Sequence, residues 1–144
     1  MAIRQISVFL ENHSGSLSAV TRVLAEAGAD MRAMAVADTQ DFGILRLIVR
    51  DTDGAIAALK AHGYLTSTNE VTAAVIPDEP GGLCHLVNIL ADEDVNIEYS
   101  YAFLTPEDGK ACVVFRVADN DHAAKAFHNA GIGVLDADGL TILD

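Results

Sequence analysis

The chain repeats itself, and the repeat is what most limits its folding. At an offset of 66 residues Gly15, Leu17, Leu24 and Ala25 recur as Gly81, Leu83, Leu90 and Ala91. Further on the offset is 68, and Val49, Asp51, Asp53, Ala55, Ala58 and Gly63 recur as Val117, Asp119, Asp121, Ala123, Ala126 and Gly131. Two extra residues in the second hairpin account for the change. The shared positions are core, cap and turn positions, as duplication of one fold requires. Each half, residues 1–69 and 70–144, is near the size at which a single core becomes marginal, so the halves are expected to pack together. No Gly/Ser-rich linker separates them, and rigid docking is expected.

Apolar periodicity supplies the elements. Residues 3–10 alternate as a strand, with Ile6, Val8 and Leu10 on one face. Residues 16–27 follow helical spacing, with Leu17, Val20, Leu24 and Ala27 on one stripe, and Gly28 stops the helix. Residues 30–37 form a second strand. Asp38–Gly43 is a hairpin loop, and Ile44–Arg50 a strand in which Leu45, Leu47 and Val49 alternate with Ile44, Arg46 and Ile48. Asp51–Asp53 offers N-cap groups to a helix over 53–62 that Gly63 ends. Tyr64–Thr68 is a short fourth strand. The order then restarts: strand Val71–Ile76, turn Pro77–Leu83, and a helix over 82–91 with Leu83, Leu86, Val87 and Leu90 on one side. Strands Asn96–Phe103 and Ala111–Val117 follow, joined by Thr105–Gly109. A helix capped by Asp119–Asp121 runs through Asn129, Gly131 stops it, and Leu140–Leu143 closes the chain. One continuous strand where the halves meet is an open alternative. The order β-α-β-β-α-β predicts an α+β fold of two ferredoxin-like units, each an antiparallel sheet with both helices on one face. Side by side, two such units would make one wide sheet.

Charge and composition exclude whole classes of function. The chain is 51% hydrophobic and 21% charged, with a net charge of −12, so it is globular and acidic. Nucleic acid and anionic membranes both need a basic footprint, so neither is expected as a partner. No apolar run approaches the roughly 20 residues that span a bilayer, and Ile6–Leu10 is too short for a secretory signal. The two cysteines, Cys84 and Cys112, form no disulfide framework, which points to the cytoplasm.

Catalytic signatures are missing. There is no Gly-x-Ser-x-Gly elbow, His-Glu-x-x-His, P-loop or dinucleotide fingerprint. His13 neighbours Ser14 and Ser16, but no third group is seen to orient it. Cys84, His85 and Cys112 lack metal-ligand spacing, and His122 and His128 do not share a helix face. The chain is therefore expected to be no enzyme, with no metal and no cofactor. Tyr99, Tyr101 and Phe103 alternate along one strand. They suit a protein-binding face or a plain core.

The strand-to-helix turns carry the functional reading. Gly15 and Gly81 permit a tight turn that Asn12 and Asp78 can cap. The same turn leaves the first N–H groups of the helix without intrahelical partners, at the positive end of its dipole, and such a place suits a carboxylate. In the first copy the candidate ligand residues are Asn12, His13, Ser14, Gly15, Ser16 and Leu17, with Asp30 and Met31 at the start of the next strand. In the second they are Asp78, Glu79, Gly81, Gly82 and Leu83, with Asn96 and Ile97. Backbone N–H groups from Ser14 to Leu17 would take the carboxylate of a zwitterion, and Asn12 or Asp30 its ammonium.

Phe9–Leu17 followed by Gly28-Ala29-Asp30-Met31 resembles the ACT domain. So does Asp78–Leu83 with Val95-Asn96-Ile97. The chain is similar to small stand-alone tandem-ACT proteins. The resemblance implies regulatory binding of an amino acid at the junction of paired domains, with the polar residues Asn12 and Asp30 or Asn96 touching the ligand. It also implies a homodimer, and a separate chain for any enzyme that is regulated. The first copy departs from the family's turn in having Ser14 where Pro is usual and Asp30 where Asn is common. The second has Asp78 at the Asn12 position. The alternative function is a protein–protein regulatory subunit of an amino-acid-metabolism enzyme, without a ligand of its own.

Overall fold

The structure, a computed structural model, describes residues 2–38, 42–103, 108–137 and 142–143. Contacts divide the chain into two compact units, Arg4–Asn69 and Glu70–Asp144 with Met1–Ile3. Both are α+β with antiparallel pairing, as the repeat predicts.

In the first unit the elements are β1 (Ile3–Glu11), α1 (Ser16–Glu26), β2 (Met31–Asp38), β3 (Phe42–Val49), α2 (Thr52–Ala61) and the opening of β4 (Thr66–Pro77). β3 pairs antiparallel with β1 on one side, Val8 opposite Leu45, and with β2 on the other, Val36 opposite Leu45. β4 follows β1, and Phe9 N–H donates to Leu65 O across 3.0 Å. Period two puts Ile6, Val8 and Leu10 of β1 and Leu45, Leu47 and Val49 of β3 on one face. They pack with Val20, Val23 and Leu24 of α1 and Ala55 and Leu59 of α2. Asp51 caps α2, accepting from Gly54 N–H at 3.0 Å. Gln5 is fully buried, and its amide donates to Asn69 Oδ1 at 2.9 Å.

The second unit repeats the plan. From Glu70 onward β4 is its first strand, followed by α3 (Gly82–Asp92), β5 (Tyr99–Ala102), β6 (Lys110–Arg116), α4 (Asn120–Asn129), β7 (Gly133–Leu135) and β8 (Ile142–Leu143). β6 lies between β4 and β5, and β7 pairs with the other side of β4. Its core joins Ala74, Ile76, Leu86, Leu90, Phe115 and Phe127. Asp119 caps α4 as Asp51 caps α2, accepting from His122 N–H at 3.0 Å. Buried Thr72 donates to Asn120 Oδ1 at 2.7 Å, tying β4 to the start of α4.

Three expectations change, and one open alternative is decided. The fourth and fifth strands are one strand, Thr66–Pro77, as that alternative allowed. Phe42 and Gly43 belong to β3 and not to the hairpin loop, while Thr39–Asp41 lie outside the described residues. The last pairing with β4 is made by Gly133–Leu135, whereas Leu140 and Thr141 lie outside the described residues. Asn96–Glu98 precede β5, and Thr105–Glu107 are likewise not described.

The helix stripes also shift. Leu17 and Leu83, placed on the core stripes by spacing, are 41% and 52% exposed, and Val87 is exposed as well. Leu17 and Leu83 sit in the first turn of their helices, while the buried residues come later in each helix. The buried residues of α1 are Val20, Val23 and Leu24. Leu24→Ala is therefore expected to destabilise the protein by about 2–5 kcal/mol, and Leu17→Ala by about 0.5 kcal/mol or less. Urea unfolding of both variants checks this, and equal losses would restore the stripe read from spacing.

Candidate functional site

Both strand-to-helix turns have one geometry. Gly15 has φ 88° and ψ −9°, and Gly81 has φ 89° and ψ −5°, each as the residue before its helix. L-residues rarely adopt this left-handed conformation, so glycine is required there. A Cβ at either position would meet nothing within 4 Å, so backbone conformation and not crowding selects the residue. The turn closes on itself in both copies: Ser16 N–H donates to His13 O at 3.3 Å, and Gly82 N–H to Glu79 O at 3.2 Å. Ser16, one of the four amides expected to face a ligand, is thus engaged by the chain. No side chain caps α1 or α3, so the next amides, Leu17 and Ser18 in the first copy, keep the helix-start character of unclaimed donors.

A second feature of the first turn is a linked set of side chains. Glu11 Oε2 lies 3.0 Å from His13 Nε2, and His13 Nδ1 lies 3.0 Å from Ser14 O. Ser16 Oγ lies 3.1 Å from Nδ1 and 3.3 Å from Nε2. Glu11 therefore orients His13, a role for which sequence spacing offered no candidate. An acid–imidazole–hydroxyl order is one that nucleophilic catalysis uses. Here the hydroxyl stands almost equally far from both ring nitrogens, beside the ring and not in line with one lone pair. The arrangement orders a loop more readily than it relays a proton.

The cluster borders a cavity of about 370 Å³, lined by Phe9, Leu10, Glu11, His13, Gly15, Ser16, Ala19, Gly63, Tyr64 and Leu65. Two β-to-α and α-to-β connections meet there: the end of β1 with the first turn of α1, and the segment between α2 and β4. Sequence reading missed the second wall, because Gly63–Leu65 read only as a helix stop and a short strand. A cavity of about 310 Å³ occupies the equivalent place in the second unit. It is lined by Val75, Ile76, Pro77, Gly131 and Gly133, with Asp108, Gly109 and Lys110 of the β5–β6 hairpin. None of Asp78, Glu79, Gly81, Gly82 or Leu83 lines it. Asp78 N–H instead donates to Gly109 O at 2.9 Å. A Cβ on Gly82 would come within 2.6 Å of Ile76 Cδ1, so that glycine serves packing.

The polar strand starts lie elsewhere within each unit. Met31 pairs with Val49, at the end of β3 opposite to Phe42, which faces Glu11. That is about 20 Å along the strand at the usual rise per residue. Asp30 is held there by two guanidinium groups, Arg50 at 2.5 Å and Arg32 at 3.8 Å. Met31 packs against the core. Glu98 N–H donates to Arg116 O, which sets Asn96 and Ile97 at the far end of β6 from Lys110, the partner of Pro77. Ile97 packs on the second core, and Asn96 lines a separate cavity with Asp94, Glu98, Asp119 and His122. No single unit brings Asp30 to Asn12, or Asn96 to Asp78.

Among the described residues no three His, Cys, Asp or Glu side chains group as a metal site, and no helix is long and apolar enough to cross a membrane. Both cysteines are free thiols, and burial pushes Cys112 up to about 12.

Paired βαββαβ units, each turning from first strand to first helix through a left-handed glycine, define a class of tandem regulatory domains. Residues 1–141 match the family described as an ACT domain pair, and the chain belongs to that family. ACT domains are regulatory modules, and the family has amino-acid-binding members. The crystal structure of protein BT0572 from Bacteroides thetaiotaomicron is similar over 97% of this chain and 96% of that one, with 36% identity and a TM-score of 0.89. The ligand-free regulatory subunit of aspartate kinase from Thermus thermophilus shares the fold at 17% identity, over 88% of this chain and 91% of that one, with a TM-score of 0.67. That of Thermus flavus does so at 17% identity, over 89% and 92%, with a TM-score of 0.63. No curated protein matches the chain.

The Ser14 carbonyl, and after it the Glu11 carboxylate, raise the His13 pKa above its ordinary 6.5. A raised folded-state value means that the loop contacts of the imidazolium contribute fully below pH 6.5 and are lost as pH rises through the folded pKa. Glu11→Gln is expected to lower the His13 midpoint in an NMR titration. An unchanged midpoint would show that the carboxylate does not hold the ring.

Proposed function

We propose that the chain is an amino-acid-binding regulatory protein whose ligand sits at the first strand-to-helix turn, Asn12 to Leu17. The observation that carries this reading is the meeting of an uncapped helix start, a left-handed glycine and a cavity at that turn. The ligand carboxylate goes to the start of α1 and the Ser16 hydroxyl, where the helix dipole favours an anion. Its ammonium goes to Glu11, which the structure leaves exposed and which bonds His13 through Oε2. Asp30 is the weaker partner for the ammonium, since Arg50 and Arg32 already share its charge. Contacts of this kind suit affinities of about 1 μM to 1 mM.

The chain works as a homodimer that pairs ACT units, in the cytoplasm, where its free thiols stay reduced. It carries no catalytic step of its own, and any enzyme it controls is a separate chain. Solved regulatory subunits of aspartate kinase with this fold support that division of labour.

A second reading has its own observation. Tyr99 and Tyr101 stack on β5 with ring centroids 6.4 Å apart and planes 16° apart. β5 is an edge strand, and its aromatic pair would serve a protein partner without any ligand.

Isothermal calorimetry against the twenty amino acids is expected to show saturable heat for at least one. Ser16→Ala and Glu11→Gln are each expected to weaken it about tenfold or more, as loss of a charge-assisted hydrogen bond does. Flat heats throughout, with a defined enzyme co-purifying from the native host, would favour the second reading.

A further inference from the structure

We propose that the first cavity selects amino acids with large apolar side chains, of the leucine and phenylalanine class. This rests on the amino-acid reading above and adds the side chain to it. The lining combines two chemistries: the polar Glu11, His13 and Ser16 by the start of α1, and the apolar Phe9, Tyr64 and Leu65. Its volume, about 370 Å³, lies at the small end of the range of about 300–1,000 Å³ found for small-molecule sites. One amino acid fits such a space.

The apolar wall is held in place by the chain's own hydrogen bonds. Gly63 N–H donates to Lys60 O and Tyr64 N–H to Leu59 O, each at 3.0 Å, and Phe9 N–H donates to Leu65 O at the same distance. These bonds fix the backbone of all three residues, and Tyr64 also packs against the first core. Leu65 is nevertheless 68% exposed and Phe9 37% exposed. Folding gains little from a leucine so placed, since its side chain stays largely in water.

The duplication shows which part of this wall the fold does not require: Tyr64 and its counterpart Ile132 each pack against their own core, whereas Leu65 is a glycine in the second copy. Phe9, Tyr64 and Leu65 correspond to Val75, Ile132 and Gly133 at offsets of 66 and 68, and the equivalent cavity forms all the same. Gly63, which the helix end needs, is kept as Gly131. The Leu65 side chain is thus particular to the first copy, as are Glu11, His13 and Ser16. A zwitterion placed with its charged end at that cluster directs its side chain to the wall, which rewards apolar area.

Calorimetry with leucine, phenylalanine, glycine, serine and aspartate tests this on the full chain. Leucine and phenylalanine are expected to bind at least about tenfold more tightly than glycine, and Leu65→Ser to bring that ratio towards one. Leu65 is exposed, so this variant keeps the core intact. Glycine, serine or aspartate binding as tightly as leucine would overturn the selectivity and leave the amino-acid reading standing. So would a leucine-to-glycine ratio unmoved by Leu65→Ser. No heat from any amino acid would overturn both.

Discussion

Each unit depends on reversing a core strand into a core helix within four residues. β1 ends at Glu11 and α1 begins at Ser16, and between them the chain must turn so that the helix lies back over the sheet. A left-handed residue directly before the helix does this, and glycine reaches that conformation without strain. The next amide then closes onto the carbonyl three residues back. With a glycine at the cap position no side chain is available to satisfy the following amides. The open helix start is thus a by-product of the turn, present in both copies whether or not it is used. What distinguishes a site from a turn is the surrounding chemistry.

Duplication separates those two things. The caps Asp51 and Asp119, the turn glycines, and the core leucines Leu24 and Leu90 are common to both units. Around the turn the copies part: Glu11, His13 and Ser16 become Pro77, Glu79 and Gly82. The second turn therefore lacks the imidazole and hydroxyl, and its cavity opens towards the hairpin with Lys110 in place of a helix start. Even the helix ends show where the fold is tolerant. Asp94, at φ 57°, stands where Gly28 stands in the first copy, and Ala29 and Val95 make the same return bond to Leu24 and Leu90. Asp, whose short side chain bonds locally, is among the few residues that enter this region at modest cost.

The plan of the fold was legible because its signals are local or repeated. Strand alternation, helix stops and the Asp caps each follow from neighbours along the chain. Leu17 and Leu83 were misplaced because spacing tells which side of a helix a residue occupies, not how far along the helix that side stays covered. Thr66–Pro77 read as two strands because Asn69 and Glu70 interrupt the apolar run, yet backbone pairing does not require apolar side chains. At the site, His13 and Ser16 were visible as neighbours, but the carboxylate that holds the ring was not, since Glu11 counts as the end of a strand. The wall made by Tyr64 and Leu65 comes from residues about fifty positions away, which no local pattern connects. Asp30 was attractive as a polar strand start. Its arginine partners, one of them twenty residues on, are long-range facts.

Net charge is the remaining apparent obstacle to an anion-binding end on this chain. At −12 the chain as a whole repels carboxylates. Exposed charges farther than a Debye length, about 8 Å in physiological salt, are largely screened. Within that radius the turn offers the start of α1, whose dipole acts over its first turn, and an imidazole that the Ser14 carbonyl and Glu11 hold towards its charged form. An overall acidic surface lowers the encounter rate of a net anion but does little to a zwitterion, which carries no net charge. On the proposed reading, the same field would disfavour a ligand with a second carboxylate, which would meet the apolar residues Phe9, Tyr64 and Leu65. Under that proposal, charge and cavity would discriminate in the same direction.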